Sequence, residues 1–334
     1  MAVTAPPRPD DSPAPAARGL GTGPRPPGRI SDGIFKWVAL ASGLLVLAIL
    51  GLIAYTTTKN AWPWFREEGL GIFADNWDPA KGQYGAGAMI YGTFLVGIIA
   101  LLLAVPVSIG IALFVTEVAP KRLRKPIIYT VDLLAAIPSV VYGLWALYAL
   151  TPNPLADIYQ SISDALSGIP IIGDLFADPS KTALSYMTAG LIVAIMVTPI
   201  ITSLTREVFA TTPQSLKEAS YGMGATRWEM IRGSVLPHSR SGVVSAVMIG
   251  LGRAIGETIA VALLIGSSQH ISPHIFGPGD TLASIIANEF NEATGIQRAA
   301  LIGMGVVLLV LTVAVGMLAR GIVSRYERRS GAVA

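Results

Sequence analysis

Residues 218–237 read EASYGMGATRWEMIRGSVLP, and residues 243–261 read VVSAVMIGLGRAIGETIAV. The first stretch is polar and basic, broken by Gly222, Gly224 and Gly233. The second is apolar enough to cross a bilayer, yet it holds Arg253 and Glu257 near its middle. A charge at bilayer depth costs roughly 2.5–3.5 kcal/mol on insertion scales, so it persists where a pathway or a partner uses it. A basic loop feeding a charged membrane segment points to an all-α, membrane-embedded fold.

The rest of the chain agrees. Of 334 residues 52% are hydrophobic and only 13% charged, against about 25% charged in an ordinary soluble protein. Much of the surface therefore faces lipid. A formal net charge of +3 is too small to suggest nucleic acid, and the absence of cysteine excludes disulfides, thiolate metal sites and Cys nucleophiles. Stretches long enough to span, about 20 residues each, lie near 35–55, 89–115, 127–150, 187–203, 243–265 and 299–323. Six transmembrane helices are thus expected, with Pro106, Pro138 and Pro199 tolerated inside a bundle. Residues 1–30 are rich in Pro, Ala and Gly without hydrophobic periodicity and read as a disordered tail ahead of a membrane domain over 31–330.

The basic residues set the direction. Eighteen Lys and Arg fall in the tail, in the loop around Lys121–Lys125, in the loop of about 206–240 and after Arg320, while five lie on the other side (Lys59, Arg66, Lys81, Lys181, Arg298). That asymmetry predicts cytoplasmic N- and C-termini in a multi-pass protein of the bacterial cytoplasmic membrane. The outer loops are longer than bundle connections need and are expected to hold short helices.

In the basic loop, Pro213 suits a first helical position with Thr211 or Thr212 as cap. A helix over 214–221 and another over 227–231 follow, too short to be stable without a partner. Glu218-Ala219-Ser220, then Gly224, then Leu236-Pro237 resemble the EAA motif of permease subunits in bacterial ABC importers. Ser220 replaces the second Ala of that motif, and Ser234 stands where Ile is usual. The resemblance implies the type I importer fold and makes this loop the coupling helix that docks on a cytoplasmic ATPase, with Glu218, Ala219, Gly224, Leu236 and Pro237 as its marks.

In the charged segment, small residues recur every four positions (Ala246, Gly250, Ala254; Gly252, Gly256, Ala260), a pattern that lets another helix approach closely. Arg253 and Glu257 stand one turn apart on a helix and can pair. Two readings stay open: a self-neutralising salt bridge, or an anion site in a translocation path. The guanidinium offers bidentate donors to a tetrahedral oxyanion, and a carboxylate can accept a hydrogen bond from a protonated phosphate but not from sulfate.

Gly252-Arg253-Ala254-Ile255-Gly256-Glu257-Thr258 is similar to the GRAxGET signature of phosphate-specific ABC permeases, and Ile137-Pro138-Ser139-Val140-Val141-Tyr142-Gly143 to their IPSVVYG segment. Trp77-Asp78-Pro79 with Tyr84-Gly85 resembles the outer entry of their C-type subunit. The resemblance implies phosphate as substrate, with Arg253, Glu257, Thr258 and Ser139 on its path. It also implies a heterodimer with an A-type permease, a homodimeric ATPase that uses ATP and Mg, and a periplasmic or lipid-anchored phosphate-binding protein. No Gly-x4-Gly-Lys-Ser/Thr loop occurs, so the chain itself is expected to hold no nucleotide or other cofactor and to hydrolyse nothing. A sulfate or molybdate importer of the same build is the nearest rival, and an ATP-independent carrier a remoter one. Asp132 is expected to pair with Lys125, Arg124 or a neighbouring helix. His270 and His274 flank Pro273, which argues against a helical metal site, and none is expected.

Overall fold

The computed structural model describes residues 29–151 and 154–329, so the tail of residues 1–30 lies almost wholly outside the described residues. The chain divides into two compact units, residues 1–53 and 54–334. Helix α1 (Arg29–Glu68) supplies all that is described of the first, and its residues 34–53 are almost all apolar and exposed.

The second unit begins with the remainder of α1 and a 3-10 turn over Gly69–Phe73, followed by a two-stranded hairpin, β1 (Trp77–Asp78) and β2 (Gln83–Tyr84), with Trp77 opposite Tyr84. Asp78 closes its turn by accepting from the backbone amides of Ala80 and Lys81. Then come α2 (Gly87–Leu113), extended by a π turn over Phe114–Val118, α3 (Lys121–Ala136), and α4 (Ser139–Trp145), extended by a second π turn over Ala146–Leu150. Outer segments α5 (Pro154–Leu166) and α6 (Ile172–Leu175) precede α7 (Tyr186–Ala210). The basic loop holds α8 (Gln214–Gly222) and α9 (Arg227–Met230), and a π turn over Ile231–Val235 runs on into α10 (Leu236–Ile255). Helices α11 (Ile259–Leu264), α12 (Leu282–Glu289) and α13 (Gly295–Arg329) complete the described chain. The long outer loops hold short helices, as their length predicts.

Six continuous spans do not form. Among the described residues, four helices are long and apolar enough to cross a bilayer: 34–73, 87–118, 186–210 and 295–321. The expected third span is bent by 89° between α3 and α4. Its cause is Pro138, which lacks the amide that would bond Leu134 and forces Ile137 into an extended conformation. The Tyr142 hydroxyl takes the vacant place, donating to the Leu134 carbonyl at 3.0 Å. The expected fifth span is broken over Gly256–Thr258, between α10 and α11. Glycine is the poorest helix former after proline, and here Glu257 bonds back only three residues, to the Ala254 carbonyl.

The core of the unit is the α2–α7 pair. Val96, Ile99, Ala100 and Ala104 bury against Ala189, Ile192, Val193, Val197 and Ile201. Apolar burial alone does not drive association between helices in lipid, so small residues at the contact and interhelical hydrogen bonds carry it. Gly190 meets Ile99 with no room for a Cβ, and Ser108 Oγ donates across to the Thr198 carbonyl at 3.1 Å. An outer cluster gathers Trp64, Trp77, Tyr84, Met89, Leu282, Ile285 and Met304. It ties the hairpin in place: the indole of Trp64 donates to the Tyr84 carbonyl (3.0 Å), and that of Trp77 to Glu289 (3.2 Å). At the end carrying the basic loops, Ala112, Phe209, Met230, Ile231 and Val235 form a separate core.

Candidate functional site

The two interrupted spans meet. Helix α4 packs on α11, the outer half of one broken segment against the outer half of the other. Gly143 makes the approach possible, since a Cβ there would sit 3.1 Å from the Ala260 Cα and 2.9 Å from the Leu263 side chain. The IPSVVYG and GRAIGET stretches, more than a hundred residues apart in sequence, thus become one structure with a chain break on each side.

At the second break, Arg253 ends α10 with its side chain exposed, while Glu257 is about nine-tenths buried. No ion pair joins them. The self-neutralising salt bridge is therefore corrected: it presumed a continuous helix, and the break at Gly256 removes the one-turn relation. Thr258 Oγ1 donates to the Gly256 carbonyl at 3.3 Å, and Ser139 is half-buried at the start of α4 just past its own break. The small-residue rows divide in function. Ala246, Gly250 and Ala254 are buried, with Gly250 facing Ile201 of α7. Gly252 and Gly256 meet no side chain beyond their own turn. Arg253 shares that open side. The segment offers a cation unpaired among the described residues and free space on one face, and close packing on the other.

In the basic loop, Pro213 precedes α8 as its cap residue, and neither Thr211 nor Thr212 caps the helix; Thr212 lies 3.4 Å from Ser239 Oγ instead. Glu218 and Ala219 are exposed on α8, beside exposed Tyr221, Met223 and Trp228. Gly224 has φ +82, a left-handed conformation that side-chain-bearing residues rarely adopt. After it, Thr226 and Glu229 form a capping box that starts α9. Gly233 does not break the chain; the π turn carries the helix through it. That widened turn accommodates Pro237, which cannot donate to the Gly233 carbonyl, and the Leu236 amide bonds Ile231 five residues back.

Three polar contacts were not foreseen. Lys217 on α8 reaches Glu117 in the π turn after α2, with Nζ 2.6 Å from Oε1. Ser220 and Ser234 hydrogen-bond at 2.7 Å. Glu289 accepts from Trp77, Gln269 and Gln297, joining three outer segments. Their partners lie too far apart in sequence for spacing to reveal. Asp132, by contrast, is exposed and makes no ion pair among the described residues; Arg124 donates to the Ala119 carbonyl instead. His274 lies 3.8 Å from Asp178, and no group of three or more His, Asp or Glu suited to a metal exists among the described residues.

Residues 88–329 match the family described as binding-protein-dependent transport system inner membrane component. The chain is 43% identical over 302 residues to the phosphate transport system permease protein PstC of Xylella fastidiosa, covering 90% of this chain and 93% of that one. It is 39% identical over 306 residues to PstC 2 of Mycobacterium tuberculosis, covering 89% and 93%. Among solved structures it resembles a bacterial alginate ABC transporter in complex with its alginate-bound periplasmic protein, at TM-score 0.61 and 17% identity over 89% of this chain and 98% of that one. A further crystal structure of a bacterial alginate importer aligns at TM-score 0.56 and 20% identity, over 89% and 99%.

Proposed function

From the chain's membership in the family of binding-protein-dependent transport system inner membrane components, and so its place as a multi-pass inner membrane protein, we propose that it is the permease subunit of an ATP-driven importer of inorganic phosphate. The observation that carries the choice of an anion is Arg253: a guanidinium with no carboxylate partner among the described residues, on the open face of an otherwise packed helix. Such a group is expensive to keep at membrane depth without a use, and its fork geometry suits a tetrahedral oxyanion. Glu257, Thr258 and Ser139 lie at the two helix breaks and supply acceptors, donors and freed backbone to the proposed path.

On this reading the loop of 206–240 is the docking element. Its exposed Glu218, Ala219 and Gly224 meet a separate homodimeric ATPase, which binds ATP and Mg, while Leu236-Pro237 passes the movement to α10. A second permease covers the open face of Arg253, and a phosphate-binding protein delivers the ion to the outer loops. Co-reconstitution with these three partners in liposomes tests it. Phosphate uptake that requires ATP and is displaced by unlabelled phosphate, but not by sulfate or molybdate, is expected. Equal uptake of sulfate would replace phosphate with a broader oxyanion, and uptake without ATP would overturn the importer.

A further inference from the structure

Helix α8 is held to the rest of the protein by an unusually short list of contacts. Gln214, Ser215, Leu216, Glu218 and Ala219 are all exposed, and only Lys217 and Ser220 turn inward. Ser220 bonds Ser234, and Lys217 bonds Glu117. Both partners lie in π turns at the end of a long helix, Ser234 at the entry to α10 and Glu117 at the exit of α2. A π turn is a local loosening of the hydrogen-bond ladder, frequent at functional positions. The ion pair is also well shielded, with side-chain exposure of 14% for Lys217 and 8% for Glu117. A shielded pair is not screened as a surface pair is, and losing one partner strands the other.

We propose that the Lys217–Glu117 pair is a positioning link of the transport cycle, which ties the docking helix α8 to α2 so that displacement of α8 moves both sides of the path together. Covalently, α8 joins α7 through Thr211–Pro213 on one side, and on the other runs through Gly224, a four-residue helix and a π turn into α10. The ion pair adds a direct route to α2, which the chain itself does not give. From Glu117 it follows α2 to Gly97, where a Cβ would sit 3.6 Å from the side chains of Ile255 and Leu251, immediately before the break at Gly256. Through the α2–α7 core it also reaches α7. With the ion pair intact, α8 drives the break through α10 and α2 together; with it lost, α8 pulls on α7 and α10 through the chain, and α2 loses its direct link. Lys217 points away from the exposed face of α8, so its loss leaves the docking surface itself unaltered.

The inference rests on the proposed importer function, and the experiment separates the two. In proteoliposomes holding the full complex, phosphate moved per ATP hydrolysed is measured for wild type, Lys217→Met, Glu117→Gln and Lys217→Arg. Lys217→Met and Glu117→Gln are expected to keep ATPase association and hydrolysis while transport per ATP falls at least about fivefold, the lower end of coupling between distant sites. Lys217→Arg, which preserves the charge, is expected to restore most of it. Unchanged transport per ATP in both neutral variants overturns the link. Loss of ATPase association in both overturns it too, because the pair then serves only to fold the loop. A wild-type complex that hydrolyses ATP but moves no phosphate overturns the importer reading instead.

Discussion

The hydroxyls of Ser220 and Ser234 lie 2.7 Å apart, and these are the two positions at which the loop departs from its motif. One Ser replaces Ala on α8, the other replaces Ile in the π turn before α10. Each would be an unfavourable polar substitution alone. Together they form one hydrogen bond, and Ser220 also lies 3.0 Å from the Leu216 carbonyl one turn back. The departures are a matched pair.

A double-mutant cycle on Ser220→Ala and Ser234→Ala follows from that match. Ser220→Ala removes the bond and leaves the Ser234 hydroxyl unanswered, at about 1 kcal/mol, whereas Ser234→Ala costs less because Ser220 keeps its bond to the Leu216 carbonyl. The double variant is expected to cost less than the sum of the two, with a coupling of about 0.5–1.5 kcal/mol. Amide hydrogen exchange over 214–235 reads the opening free energy of this segment. Additive effects would show that the two hydroxyls do not act on each other.

How much of this could be read from the residues alone depends on the range of the interaction. Apolar stretches, basic asymmetry and the two short helices of the loop are local properties, and four of the six expected spans form as continuous helices, the third and fifth being broken. Pro138 marks its bend openly, because a missing amide has a fixed consequence. Gly252 and Gly256 were ambiguous: glycine at four-residue spacing signals a packing seam as readily as a break, and the seam turned out to be Ala246, Gly250 and Ala254. Arg253 and Glu257 stood out as charges but not as a separated pair, since separation depends on the break. The Lys217–Glu117 link joins residues one hundred positions apart, and among many basic residues nothing local distinguishes Lys217.

Replacing Arg253 by Gln should abolish phosphate uptake and leave the fold alone. The side chain is exposed and unpaired, so its removal is expected to change stability within about 0.5 kcal/mol. Because Glu257 is not its partner, Glu257→Gln should not restore uptake to the Arg253→Gln chain. Uptake in a strain lacking other phosphate importers, with complex assembly followed by co-purification, checks both points. Wild-type uptake by Arg253→Gln removes this residue from the path.

Tyr142→Phe isolates the bend of the third segment. It deletes the shorter of two hydrogen bonds to the Leu134 carbonyl, the other coming from the Ile137 amide at 3.4 Å, leaves the ring packing in place, and is expected to lower stability by about 1 kcal/mol. Gly143→Val acts at the same junction by volume. Its side chain meets Ala260 and Leu263, so α4 and α11 must separate, at about 1–3 kcal/mol. Thermal unfolding in detergent should rank Gly143→Val below Tyr142→Phe and both below wild type. The reverse order would mean that the hydroxyl, and not the close approach of α4 to α11, holds the two breaks together.

Asp280 supplies a pH dependence of defined sign. It lies in the outer loop between α11 and α12, 2% exposed, where burial raises its pKa to about 6 from an ordinary 3.8. Hydrogen bonds from Ser284, the Thr281 backbone amide and Ser267 oppose that rise, and the nearby charge of Glu289 adds to it. A raised carboxyl pKa means that the folded state binds the proton more tightly than the unfolded one. Stability is then highest below pH 4, declines as pH rises from about 4 through 6, and levels off above, a total loss of about 3 kcal/mol. Asp280→Asn keeps an acceptor for Ser284 without the charge. It should match wild type near pH 3, where Asp280 is mostly protonated in both states, and exceed it at pH 7.5. Denaturation measured at the two pH values checks this, and a variant less stable than wild type at pH 7.5 would mean that the ionised carboxylate contributes more to the loop than its burial costs.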